Sequence, residues 1–192
     1  PLANLDYKLR EELRAELPKI FAETGAIFVY ATTEPSEALL LGGNTATLSE
    51  GAITQFGLTV DVFRRPTDLI TAQTFSDPPL NTIVANKRGG TFALAGGADI
   101  PVPPDMRALP DGDLILGFRP HHLSPYARDG VSTPLQVTVA VTEITGSESF
   151  VHLGHGGDRW VMLTNGIHDI APGTSMTVHL DTRHLLAFRK DG

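Results

Sequence analysis

The chain has 192 residues, of which 41% are hydrophobic and 19% charged, and its 15 Lys+Arg against 22 Asp+Glu give a formal net charge of −7. This apolar content is enough for a folded core and excludes an intrinsically disordered chain, and the absence of cysteine excludes disulfides, thiolate zinc sites and a cysteine nucleophile. The negative charge argues against a nucleic-acid partner, and no apolar run approaches the roughly 20 residues that a membrane-spanning helix requires.

The composition changes near residue 72. Seven of the nine glutamates precede residue 73, whereas all seven histidines lie between His121 and His184. Glutamate favours helices, and the Asp, Pro and Gly of the later part favour turns. We therefore predict two domains, a helix-rich part over residues 1–72 and a strand-rich part over residues 73–192.

In the first part, apolar residues recur every three or four positions from Leu5 to Phe21. This spacing predicts an amphipathic helix that kinks at Pro18 and stops at Gly25. The continuous apolar run Ala26–Ala31 predicts a strand that is buried on both faces. The remaining elements predicted here are a short helix at Pro35–Leu41, a hairpin of Thr45–Ser49 with Ala52–Phe56, and a helix at Leu58–Arg65.

In the second part, short strand patterns alternate with turns rich in glycine and aspartate. Strands at this spacing are typical of a small barrel or sandwich. The predicted strands are Ile83–Asn86, Thr91–Ala95, Leu114–Phe118, Leu135–Thr145, Ser149–Leu153, Arg159–Leu163, Met176–Leu180 and His184–Phe188.

Several segments of the first part are similar to landmarks of ABC-transporter ATP-binding subunits. Pro1–Asp6 resembles the D-loop, and Val29–Glu34, followed by Glu37-Ala38, resembles the switch segment at the end of a core strand. Ser49–Gly57 resembles the next hairpin, and Asp61–Pro66 the last helix with its closing proline. The start of the chain has no Met and no signal-peptide pattern, so we expect it to be an internal point of a longer subunit.

The second part narrows the resemblance to one group. Phe75–Asn81 resembles the entry into the regulatory domain of sugar-importer ATPases, and Leu116–Leu123 is similar to its Arg-Pro-x-His/Asp-Leu stretch. Thr145–Glu148 and His184–Phe188 resemble later strands of that domain. The chain as a whole resembles the C-terminal part of the ATP-binding subunit of maltose- and glycerol-phosphate-type importers.

The resemblance implies an α+β chain. Residues 1–72 would be the remnant of the α/β nucleotide-binding domain, and residues 73–192 a β-rich, OB-like (TOBE) regulatory barrel. It further implies a cytoplasmic subunit on the inner face of the cell membrane that powers uptake of sugars, polyols or glycerol phosphate. The implied partners are another ATP-binding subunit in a homo- or heterodimer, two membrane permease subunits and a regulatory protein on the TOBE domain.

The resemblance also assigns site residues. Asn4, Leu5 and Asp6 would lie in the D-loop at the dimer interface near ATP, although Asn and Asp there also suit the capping of a helix N-terminus. Thr33 stands where the family places a histidine that contacts the γ-phosphate and the attacking water. A threonine hydroxyl can donate one hydrogen bond, but it carries no positive charge and lacks the reach of an imidazole.

The phosphate-binding motif of such ATPases is absent from these 192 residues. No G-x-x-x-x-G-K-[ST] stretch occurs, and the signature loop and Walker B carboxylates are missing as well. We therefore expect ATP and Mg²⁺ to bind the full-length subunit, and we expect no cofactor and no ATP hydrolysis for this chain alone.

Two other readings remain open from the sequence. The chain could be a stand-alone OB-like module that binds a small ligand or oxyanion, or part of a regulatory subunit that is itself a pseudo-ATPase, which Thr33 favours. A metal site is not expected: the spacing His152-x-x-His155 places the two rings on opposite faces of a strand. No serine lies in a G-x-S-x-G elbow, which argues against a serine hydrolase.

Overall fold

A computed structural model describes residues 7–25 and 27–190 of the chain. It divides into two compact units, Pro1–Thr67 and Asp68–Gly192, five residues before the predicted boundary at residue 72. The α-helices of the described residues are α1 (Tyr7–Thr24), α2 (Pro35–Leu41), α3 (Thr59–Arg64) and α4 (Leu69–Thr74). The strands are β1 (Asn44–Ser49), β2 (Ala52–Leu58), β3 (Asn81–Arg88), β4 (Thr91–Leu94), β5 (Asp99–Pro101), β6 (Gly112–Phe118), β7 (Leu123–Ser124), β8 (Ser132–Ile144), β9 (Glu148–His155), β10 (Asp158–Asn165), β11 (Ser175–Asp181) and β12 (Leu186–Arg189).

The first unit contains the predicted helices. Helix α1 runs through Pro18 and ends just before Gly25, whose φ of 60° is the left-handed conformation that glycine adopts most readily. Helix α2 has the predicted bounds and begins with Pro35, a residue suited to the first helical turn because its missing N–H would have no partner there. Among the described residues, no helix is long and apolar enough to span a membrane.

The predicted buried strand at Ala26–Ala31 is wrong for the part that the structure describes. Residues 27–31 form no strand, and the side chains of Ile27 and Val29 are each 96% exposed. Phe28 stacks on Phe21 of α1, with ring centroids 4.2 Å apart. An apolar run forms a buried strand only where neighbouring strands accept its hydrogen bonds, and no described strand lies beside this one.

The predicted hairpin is confirmed as the antiparallel pair β1–β2, although its polarity is unusual. Thr47 is buried, and its hydroxyl lies 2.7 Å from that of Thr54 on the opposite strand. The large apolar side chains of the hairpin are instead exposed to solvent, each by about 60% or more: Leu48, Ile53, Phe56 and Leu58. The hairpin therefore presents an apolar surface that the described part of the unit leaves uncovered.

The second unit begins with α4 and is otherwise mostly β. Asp68 caps the helix, since its side chain accepts a hydrogen bond from the Thr71 N–H at 2.7 Å. Two antiparallel five-stranded sheets follow, in the orders β12-β6-β3-β4-β5 and β10-β9-β8-β11-β7. The predicted strands are confirmed at shifted ends, and the short strands β5 and β7 were not predicted.

The two sheets share one apolar core. The first sheet contributes Phe92 and Phe118, and the second contributes Leu153, Trp160 and Met162, all fully or almost fully buried. The edge of the Phe118 ring meets the face of Trp160, with centroids 5.1 Å apart. Burial of these large side chains between the sheets is the main stabilising contribution to this unit.

Side-chain hydrogen bonds also join the two sheets. Asn81 on β3 is buried, its Nδ2 donates to the Val161 carbonyl at 2.8 Å, and its Oδ1 accepts from the Val161 N–H at 2.7 Å. The side-chain amide thus pairs with the β10 backbone as another strand would. One residue along, Trp160 Nε1 donates to the Thr82 carbonyl at 3.1 Å.

Candidate functional site

The turn that holds Thr33 is organised by a buried glutamate. Thr33 lies at an exposed bend just before α2, and Glu37, in the first turn of that helix, is only 6% exposed. Thr32 Oγ1 and the Tyr30 hydroxyl both donate to Glu37 Oε2. The hydroxyl of Thr32 also accepts from the Glu34 N–H at 2.9 Å.

These contacts fix the backbone on both sides of Thr33 while its own side chain faces solvent. The arrangement offers one hydroxyl at the tip of a braced turn, which can donate or accept a hydrogen bond but cannot act as a proton-carrying base near neutral pH. The D-loop candidates Asn4, Leu5 and Asp6 lie outside the described residues, so the structure does not place them beside Thr33.

A second polar turn follows β6, at the stretch that resembles the Arg-Pro-x-His/Asp-Leu motif. Residues 120–122 form one turn of 3-10 helix, in which the His122 N–H donates to the Arg119 carbonyl at 2.9 Å. The Arg119 N–H donates back to His122 Nδ1 at 3.4 Å. His122 lies in a row of rings, with its centroid 4.3 Å from that of His121 and 4.8 Å from that of His184.

Burial and neighbouring charges lower the pKa values of His121 and His122. Burial first, and then the charges of His121, His184 and Arg119, lower the pKa of His122 to about 3, against a small opposing effect of Asp181. Burial and the charge of Arg119 also lower the pKa of His121. Both rings are therefore held neutral at physiological pH.

Comparison with known proteins shows what the chain is similar to. A family profile described as the TOBE domain matches residues 116–188. The xylose/arabinose import ATP-binding protein XacK of Haloferax volcanii is 33% identical over 96% of this chain and 50% of its own length. The sn-glycerol-3-phosphate import ATP-binding protein UgpC of Salmonella typhimurium is 32% identical over 96% of this chain and 52% of its own.

Residues 116–188 match the TOBE domain, and the chain is similar over 96% of its length to import ATP-binding subunits. It spans about half the length of the curated relatives it matches. The sulfoquinovosyl glycerol transport ATP-binding protein SmoE of Agrobacterium fabrum is also similar, 32% identical over 81% of this chain and 44% of its own. The solved structure of the molybdate-binding protein ModG overlaps 57% of this chain and 95% of its own, at 16% identity and a TM-score of 0.44.

The match with import ATP-binding subunits confirms the predicted family. It extends across both units of the chain, which does not favour a stand-alone barrel module. The sequence reasoning singled out Thr33 from this resemblance. It missed Glu37 as the organiser of the turn, and the only available signal was an acidic residue in the first turn of a predicted helix.

His152 and His155 lie apart from the row of rings at His122. His152 Nε2 lies 3.1 Å from a carboxylate oxygen of Glu143. His155 is buried on the face of Trp160, and its Nδ1 lies 2.8 Å from the Gln136 carbonyl. Within the described part of the chain, no three His, Asp or Glu side chains are grouped so that they could hold a metal ion.

The lowered pKa of His122 makes the stability of the second unit, Asp68–Gly192, sensitive to acid. The folded-state pKa of His122 is depressed, so between pH 6.5 and about 3 the unfolded chain binds a proton that the folded chain does not. Stability is thus lost as the pH falls through this window. Between pH 7 and pH 5, we expect the free energy of unfolding of His122→Asn to fall by about 1–2 kcal/mol less than that of wild type. The Asn side-chain oxygen can still accept a hydrogen bond from the Arg119 N–H.

Urea unfolding at the two pH values measures this difference. His168→Asn is the control, because His168 lies in another turn, with its Nε2 3.0 Å from the Asn165 carbonyl. If His122→Asn and wild type lost equal stability on acidification, the lowered pKa of His122 would not contribute to acid sensitivity.

Proposed function

We propose that these 192 residues form the C-terminal part of the ATP-binding subunit of an importer for sugars, polyols or glycerol phosphate. The alignment with import ATP-binding proteins over 96% of the chain is the observation that carries the proposal. In that role the chain serves dimerisation and regulation, on the cytoplasmic side of the cell membrane. Its partners are a second ATP-binding subunit, membrane permease subunits and a regulatory protein on the OB-like barrel.

The exposed apolar face of the β1–β2 hairpin supports the assignment of residues 1–72 to a larger nucleotide-binding domain. Leu48, Ile53 and Phe56 each expose more than 60% of their surface, which is costly for large apolar side chains that lie together. A layer of the same domain packed on this face would remove that cost. The extended, exposed segment at residues 27–31 would gain strand neighbours in the same way.

ATP and Mg²⁺ belong to the complete subunit in this proposal. Bound ATP would close the dimer, and its phosphates need a glycine-rich cradle and a lysine that these 192 residues lack. What this chain would contribute is the D-loop segment Asn4, Leu5 and Asp6 at the dimer interface and the switch turn at Thr33.

Thr33 favours a degenerate ATP site within that subunit. Glu37 holds the turn through Thr32 and Tyr30, which leaves a braced turn with a hydroxyl at the position where the family would place an imidazole. We expect such a subunit to pair with a different, competent ATP-binding subunit in a heterodimer, or to act as a pseudo-ATPase.

The coding sequence upstream of Pro1 tests the family role directly. An open reading frame that continues upstream with Walker A, signature and Walker B motifs, in that order, supports the proposal. An upstream frame that encodes an unrelated domain, or a start codon immediately before Pro1, contradicts it.

A gain of activity tests the role of Thr33. In the purified homodimer of the complete subunit, Thr33→His is expected to raise ATP turnover by at least about 10-fold, because it restores a group that can position the attacking water and share its proton. Ser36→His is the control, since it adds an imidazole at an exposed position in the first turn of α2. Full turnover by the unmodified homodimer, with no gain from Thr33→His, would show that Thr33 is not a defect.

A further inference from the structure

The connection between the two units is short. The first unit ends at Thr67 and the second begins at Asp68, and only residues 65–68 separate helix α3, which ends at Arg64, from helix α4, which begins at Leu69. Thr67 is exposed, and the side chain of Arg65 is 81% exposed. Because packing contributes little to this segment, its order depends on hydrogen bonds.

The side chain of Gln55 holds this segment. Gln55 lies on β2, and its Nε2 donates to the Arg65 carbonyl at 3.2 Å. Its Oε1 accepts from the Thr67 N–H at 2.9 Å and from the Thr67 hydroxyl at 3.2 Å. One amide group thus fixes the backbone on both sides of Pro66, whose ring already restricts its own φ to about −65°.

The backbone of Gln55 is anchored in turn by a buried residue. Thr47 on β1 is 3% exposed, and its hydroxyl accepts from the Gln55 N–H at 3.1 Å and lies 3.2 Å from the Gln55 carbonyl. The base of the glutamine side chain is therefore fixed within the hairpin, while the amide at its end reaches a segment 10 to 12 positions further along the chain.

The second unit is held just as closely at its first residue. Asp68 caps α4, since its Oδ1 accepts from the Thr71 N–H at 2.7 Å and its Oδ2 from the Thr71 hydroxyl at 3.2 Å. Helix α4 is fixed to the β-strands of this unit, because the buried Ala72 lies in one apolar cluster with Phe188 of β12. Thr67 is thus held within the first unit, and Asp68, the next residue, within the second.

We propose that the three hydrogen bonds of the Gln55 side chain form a latch on the connection between the two units. With the latch closed, rotation of one unit against the other is confined to the backbone at Thr67 and Asp68. With the latch open, residues 65–67 join the connection and extend its reach by about 10 Å, at 3.3–3.6 Å for each residue.

The position of the latch suits reversible opening. Its three bonds lie at an exposed surface, where water can replace them, so it can open without unfolding either unit. Because Gln55 belongs to the β1–β2 hairpin, a displacement of β2 would change the freedom of the second unit. This inference goes beyond the proposed function and does not rest on it, since every contact involved lies within the 192 residues.

Amide hydrogen exchange on the 192-residue chain tests the latch at one atom. The Thr67 N–H is expected to be protected in wild type, and Gln55→Ala is expected to raise its exchange rate about 10-fold or more. Gln55→Glu keeps an acceptor for this N–H but removes the donor to the Arg65 carbonyl, so protection is expected to fall less than in Gln55→Ala. Gln73→Ala, which truncates an exposed glutamine on α4, is the matched control.

Distances between two spin labels measure the freedom of the second unit. The chain contains no cysteine, so Ser36→Cys and Arg159→Cys place one label at an exposed residue of each unit. Gln55→Ala is expected to widen the distribution of label-to-label distances by several ångströms, up to the roughly 10 Å of added reach. Gln73→Ala is expected to leave the width of the distribution unchanged.

The two measurements distinguish a latch from an ordinary surface contact. Faster exchange at Thr67 together with a wider distance distribution in Gln55→Ala supports the proposal. Unchanged exchange at Thr67 overturns it, and so does faster exchange with an unchanged distribution, because Gln55 would then order the segment without restraining the units. Equal effects of Gln55→Ala and Gln73→Ala also overturn it. Urea unfolding curves establish that each variant is folded, and no ATP or importer component is needed, so the result is independent of the proposed function.

Discussion

Replacement of Trp160 by alanine is expected to lower the free energy of unfolding by about 3–5 kcal/mol, the cost of truncating a large buried aromatic residue. Trp160 is 1% exposed and lies between the edge of Phe118 and the face of His155, with centroids 5.1 and 4.5 Å away. Its removal leaves a cavity between the two sheets and removes the hydrogen bond from Trp160 Nε1 to the Thr82 carbonyl.

Urea unfolding followed by far-ultraviolet circular dichroism measures the loss, because the variant no longer contains the single tryptophan of the chain. Trp160→Phe separates the contribution of ring packing from that of the hydrogen bond, because it keeps an aromatic ring but loses the N–H donor. We expect this variant to lower the free energy of unfolding by about 1–2 kcal/mol. Ile167→Ala, at a residue 69% exposed in the same unit, is expected to cost under about 0.5 kcal/mol. Equal losses in Trp160→Ala and Ile167→Ala would show that Trp160 is not a core residue.

Asn81→Ala is expected to lower the free energy of unfolding by about 2–4 kcal/mol, because it removes both hydrogen bonds to two partly buried backbone groups. Both the N–H and the carbonyl of Val161 pair with the Asn81 side chain, which is 3% exposed. No other side chain of β3 is shown to hold β10 in this way, so the variant also loosens the register of the two sheets.

Asn86→Ala is the matched control on the same strand. Asn86 is partly exposed, and its amide donates to the Asp113 side chain, where water can replace the lost bond. We expect a cost within about 1 kcal/mol. Amide hydrogen exchange at Val161 gives an independent measurement, since its protection is expected to fall in Asn81→Ala and to persist in Asn86→Ala. Unchanged protection in Asn81→Ala would contradict the bridging role.

The candidate sites differ in how far the sequence reveals them. Thr33 could be found because it lies in a short contiguous motif whose neighbours resemble the switch segment of the family. The row of rings at His122 could not, because His122 and His184 lie more than 60 positions apart in the chain and stack on one another in the folded unit. The spacing of residues along the chain does not predict which distant segments will be in contact.

The sequence alone determined the elements whose cause is local: the bounds of α2, the β1–β2 hairpin and most strands of the second unit follow from alternation, turn residues and caps within a few positions. The tertiary structure decided what depends on distant partners. The apolar run at residues 27–31 forms no strand without neighbours to pair with, and Asn81 becomes a bridge only because β10 lies beside it. Hydrogen bonding and burial are satisfied between segments, and a local pattern does not specify which segment will supply them.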